Sequence, residues 1–102
     1  MGVISDILKD EYERLKALEK QYTKQMNDLP KGALSKRERS GKFYLYLMYR
    51  QGKKVITKYI GREDSERSKE IIAQVQKRKQ IEAKLRQVKR DLNELKKTIP
   101  NE

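Results

Sequence analysis

Between Lys42 and Arg62 the chain reads KFYLYLMYRQGKKVITKYIGR, a stretch in which phenol rings and cations interleave. Lysine and arginine neutralise phosphates and release counterions, while a tyrosine ring stacks on an exposed base or packs against a sugar. Tyr44, Tyr46 and Tyr59, set among Lys42, Arg50, Lys53, Lys54 and Lys58, are therefore candidate nucleic-acid contacts, and Lys36, Arg37 and Arg39 extend the set on its amino-terminal side. A two-stranded ribbon of this kind also fits the major groove of B-DNA. The competing account is structural: tyrosines that form cross-strand pairs with their hydroxyls in water, and lysines that guard an exposed sheet edge.

The distribution of charge favours the first account. The 102 residues carry 26 Lys and Arg against 15 Asp and Glu, a net charge of +11. Residues 1–30 hold five bases and six acids, and residues 63–102 eleven bases and eight acids. Residues 31–62 hold ten bases and one acid, Glu38, a net charge of +9. Mixed signs on the flanks describe solvated helix surfaces; an unopposed middle third describes a footprint for a polyanion. Lys77, Arg78, Lys79, Lys84, Arg86, Lys89 and Arg90 make a weaker second patch, which a solvated helix face explains.

Other chemistries fail by inventory. With no cysteine and no histidine, thiol nucleophiles, imidazole catalysis, disulfides and thiolate or imidazole metal sites are all excluded. Glu63, Asp64 and Glu66 complement the dipole of a helix start more simply than they form an acid/base pair. LPKGAL has one glycine and lacks the spacing of a phosphate loop. No enzyme activity, cofactor or metal is expected. A chain of this length is one small domain, and 35% hydrophobic residues leave little core for an enclosed pocket. Apolar runs of two or three residues, as at Ile71-Ile72-Ala73, give neither a membrane span nor a signal peptide, so the expected protein is soluble and cytoplasmic.

Ile4, Leu8, Tyr12, Leu15, Leu18, Tyr22 and Met26 recur at intervals of three and four, the stripe of an amphipathic helix over about 5–28, with Ser5 or Asp6 as its cap and Pro30 beyond its end. A longer helix over about 64–99 starts at Asp64 or Ser65 and stops before Pro100. Its heptad puts Ile71, Arg78, Leu85, Leu92 and Ile99 at a, and Gln74, Ile81, Val88 and Leu95 at d. Residues 30–42 read as a basic loop, and 42–60 as a β-hairpin turning around Gln51-Gly52. A two-residue turn pairs Arg50 with Lys53, Leu47 with Ile56 and Tyr44 with Tyr59; a three-residue turn with a bulge at Gly52 changes that register. Phe43, Leu45, Leu47, Tyr49, Ile56 and Ile60 then form the core face, opposite Tyr44, Tyr46, Met48, Arg50, Lys53, Val55, Thr57 and Tyr59.

A lone hairpin needs support. The shorter helix therefore pairs with the regular heptads from Ile81 to Ile99, and the hairpin covers the broad patch of Ile71, Ile72 and Val75. Spare seam on the long helix could instead form a homodimer. The expected fold is α+β, in the order α-β-β-α: an antiparallel coiled-coil helix pair capped by a two-stranded hairpin.

The segment LPKGALSKRERSGKFYLYLMYRQGKKVITKYIG resembles short uncharacterised prokaryotic and phage proteins, in which an LPKG opening precedes a tyrosine-rich hairpin ending in KYIG and a long charged helix. The hairpin is more loosely similar to the amino-terminal hairpins of some transposases and the arm-type hairpins of phage integrases. The resemblance implies a phage or mobile-element setting. With it comes DNA binding, or an accessory or inhibitory role against a host nucleoprotein. The basic face itself suits DNA or RNA, or alternatively a phage-borne protein-interaction module or inhibitor, anti-CRISPR-like, docking on a host nucleoprotein complex.

Overall fold

The computed structural model describes residues 3–98 of the chain. Helix α1, Val3–Asn27, is followed by strands β1, Ala33–Arg39, β2, Lys42–Gln51, and β3, Lys54–Arg62, and then by helix α2, Glu66–Thr98. The chain separates into two compact units, one made of α1 and α2 from Gln80 onward, the other running from Leu29 to Lys79.

In the helical unit, Leu15, Val88 and Leu92 are buried against one another, with Tyr12, Leu18, Tyr22 and Leu95 packed around them. The apolar stripe of α1 thus meets Val88, Leu92 and Leu95 of the α2 heptad; Ile99 lies outside the described residues. Ser5 and Asp6, expected at the cap, lie inside α1, which starts at Val3 and keeps Asp6 in its first turn. On its exposed surface Arg14 donates to Glu11 at 3.0 Å, which holds the Glu11 carboxyl below its ordinary range and raises Arg14. Lys16 is raised by the same kind of pairing with Glu19.

In the other unit the sheet has three antiparallel strands in the order β1-β2-β3, not two. Residues 33–39, expected within the loop, form an edge strand, because Leu34 pairs with Leu47 on the core side while the remaining positions are a small alanine, a serine and charged residues. Ser40 and Gly41 make the connecting turn, with φ of 53° and 79°. Two successive left-handed residues give the twist that a two-residue hairpin needs.

The β2–β3 turn is Gly52-Lys53 rather than Gln51-Gly52, so Gln51 pairs with Lys54, Tyr49 with Ile56 and Tyr46 with Tyr59. Gly52 supplies the left-handed first position at φ 64°. Arg50–Lys53, Leu47–Ile56 and Tyr44–Tyr59 are therefore not the pairs formed. The shift is two residues, which changes partners but leaves every side chain on its expected face. The irregularity lies at Leu45/Tyr46, opposite an extra residue in β3, and not at Gly52.

Leu45, Leu47, Ile60 and Val75 form the buried cluster of this unit, joined by Leu34, Tyr49, Ile71 and Ile72. The first part of α2 thus covers one face of the sheet. Phe43 shares the parity of Leu45 but lies next to the Ser40-Gly41 turn and stays 47% exposed. α2 begins as expected: the Ser65 hydroxyl donates to the Arg62 carbonyl at 2.8 Å and accepts from the Ser68 amide at 3.2 Å. Arg78, a polar exception in the heptad, donates to the Leu29 carbonyl at 2.8 Å.

Candidate nucleic-acid interface

Alternation along β2 divides the sheet. Leu45 and Leu47 point to the covered face, so Lys42, Tyr44, Tyr46, Met48 and Arg50 point to the other. Their neighbours on β1 share that face: Arg39 opposite Lys42, Arg37 opposite Tyr44, Ser35 opposite Tyr46 and Ala33 opposite Met48. From β3 come Val55 opposite Arg50, Thr57 opposite Met48, Tyr59 opposite Tyr46 and Arg62 opposite Tyr44.

Three of the six tyrosines meet there. The Tyr46 and Tyr59 rings are 5.4 Å apart at 60°, edge to face, and those of Tyr44 and Tyr59 are 6.3 Å apart at 43°. The Arg37 guanidinium lies over the Tyr46 ring, 4.7 Å from its centroid, in cation–π contact. Tyr44 and Tyr46 are half-buried by these neighbours, while Tyr59 is 53% exposed. Cations surround the rings, and the one acid of the three strands, Glu38, pairs with Phe43 on the opposite face. The nearest carboxylate contact is Asp64, which accepts from Arg62 at 3.3 Å.

Of the eleven residues singled out from sequence, Arg37, Arg39, Lys42, Tyr44, Tyr46, Arg50 and Tyr59 share this face, with Lys53 in the turn at one end of it. Lys36, Lys54 and Lys58 belong to the opposite face: they pair with Leu45, Gln51 and Leu47, and Lys36 is engaged by Glu63 at 2.9 Å. Arg62, counted in the basic segment but not among the contacts, joins the tyrosine face only because of the irregularity in β3. The register alone would have revealed it.

A groove at the Ser40-Gly41 end of the sheet is lined by Lys42, Phe43, Arg62, Glu63, Asp64 and Lys69. Its carboxylates are those that hold Lys36 and Arg62, which makes it a mixed-charge rim and not a cation-lined pocket. Among the described residues no group of three carboxylates is placed to hold a metal ion, and no helix is long and apolar enough to cross a membrane.

Residues 7–70 match the family model described as a domain of unknown function, DUF6788. The chain belongs to that family. No curated protein and no solved structure matches it. The DUF6788 match takes in most of α1, the whole sheet and the first turn of α2, so every residue of the tyrosine face falls within it.

Proposed function

We propose that the tyrosine face binds nucleic acid without catalysing a reaction on it. One observation carries the reading: three tyrosines and the cations Arg37, Arg39, Lys42 and Arg50 share a sheet face from which the strands' one acid is excluded. The cations would neutralise phosphates, and the rings would lie against bases or sugars. A phage or mobile-element setting is part of the same proposal and rests on the resemblance of the LPKG to KYIG segment.

Fluorescence anisotropy with a labelled oligonucleotide over a salt series tests it. If those four cations and Lys53 each neutralise one phosphate, log affinity should fall against log salt with a slope of about −4.5 for B-DNA, or about −3.5 for a single strand. Binding indifferent to salt overturns the proposal. So does one protein partner that co-purifies from cells after nuclease treatment while bare oligonucleotides fail to bind.

A further inference from the structure

The middle and the ends of the tyrosine face differ in chemistry. Tyr46, Met48, Thr57 and Tyr59 occupy the middle with Ser35 beside them, and Tyr59 is more than half exposed, as is Val55 opposite Arg50. The cations lie beyond them: Arg50 and Lys53 towards one turn, Arg39, Lys42 and Arg62 towards the other. From Lys42 to Arg50 the central strand spans roughly 26 Å at ~3.3 Å per residue.

A duplex groove floor is a row of hydrogen-bond donors and acceptors, read by bidentate Arg, Lys, Asn and Gln, by the acids, and by single hydroxyls of Ser and Thr. No Asn, Gln, Asp or Glu stands on this face. Pressed into a groove, its middle would offer base edges only the hydroxyls of Ser35, Thr57 and the tyrosines, and no bidentate partner. Unpaired bases make the opposite demand, since they offer flat apolar surfaces that aromatic rings and guanidinium planes cover. Arg37, already lying on Tyr46, supplies such a plane, and the exposed Tyr59 ring supplies another.

Building on the nucleic-acid reading, we propose that the face takes a short run of unpaired nucleotides, single-stranded DNA or RNA, in preference to a duplex. Bases stack over Tyr59 and over the Tyr46–Arg37 pair, and the flanking phosphates reach the cations at both ends. At the stacked spacing of ~3.4 Å per nucleotide the face accommodates no more than about eight.

The test compares three labelled 12-mers of one mixed sequence, as single-stranded DNA, single-stranded RNA and DNA duplex, against the full chain at fixed salt. At least one single strand should bind about ten-fold or more tightly than the duplex, and a preference between the two identifies the sugar favoured. The chain has six tyrosines and no tryptophan, so its intrinsic emission should be quenched as bases stack. Tyr59→Ala should weaken single-strand binding about ten-fold, and Tyr59→Phe should bind within two-fold of wild type, because the ring and not the hydroxyl carries the contact. Circular dichroism checks that the variants fold, and the three-way comparison needs wild type alone. A duplex bound as tightly as both single strands overturns this inference and leaves the broader reading standing, as does single-strand binding unchanged by Tyr59→Ala. The absence of salt-dependent binding to all three overturns both.

Discussion

Leu45 and Tyr46 are adjacent in sequence and opposite in duty. Leu45 is 1% exposed, at the centre of the cluster with Leu47, Ile60 and Val75, whereas Tyr46 stands on the other face against Tyr59 and Arg37. Leu45→Ala should lower unfolding stability by about 2–5 kcal/mol in chemical denaturation, since the methyl groups lost are fully buried. Tyr46→Ala should cost less in that measurement and more in oligonucleotide binding. The face assignment fails if the two variants exchange their effects. This division was legible in the sequence because alternation along FYLYLMY sorts side chains without knowledge of any partner strand. Arg78 was not: a cation at a heptad seam reads as a defect until the Leu29 carbonyl it holds is known.

At the scale of elements, both helices and the second hairpin follow from periodicity and punctuation, and the edge strand does not. ALSKRER has one large apolar residue, Leu34, because β1 has little to bury beyond its contact with Leu47. Its cations are what an exposed edge carries to discourage further pairing, and in sequence they look like a solvated loop. Ser-Gly likewise signals a turn without saying that both residues are left-handed. Ser40 holds φ 53° at a steric cost that asparagine bears more easily. Ser40→Asn should therefore stabilise the protein by a few tenths of a kcal/mol, measured as a rise in melting temperature. Gly41→Val should destabilise it by about 1–2 kcal/mol although nothing stands within 4 Å of the added Cβ, because the strain lies in the backbone alone. A neutral Gly41→Val would contradict the left-handed turn.

For the molecule as a whole, charge segregates twice: along the chain, into residues 31–62, and then across the sheet, where the pleat sends Arg37, Arg39 and Arg50 one way and Lys36, Lys54 and Lys58 the other. The first segregation could be counted in the sequence; the second required the strand register. Two triple variants of equal charge separate them. Arg37→Glu, Arg39→Glu and Arg50→Glu together should abolish most oligonucleotide binding, and Lys36→Glu, Lys54→Glu and Lys58→Glu should reduce it far less at the same salt. Equal losses would mean that net charge, and not the face, governs affinity.

The irregularity opposite Leu45 and Tyr46 also leaves a mark on how the chain tolerates change. Along β3 the odd positions 55, 57 and 59 lie on the tyrosine face; Ile60 and Gly61 then both fall on the covered side, and Arg62 returns to the tyrosines. A map of every single substitution, scored for folded protein in cells, should show a two-residue rhythm of tolerance through β3 that inverts its phase between Ile60 and Gly61. Gly61 should be intolerant for its own reason, because its φ of 153° strains any other residue and an added Cβ would also crowd the Ser65 hydroxyl at 3.2 Å. Removing residue 61 should restore an unbroken rhythm with Ile60 alone on the covered side and leave Arg62 opposite Tyr44 on the tyrosine face. A chain shorter by that one residue would thereby keep its tyrosine face, where an insertion of one residue before Arg62 would turn Arg62 away from it.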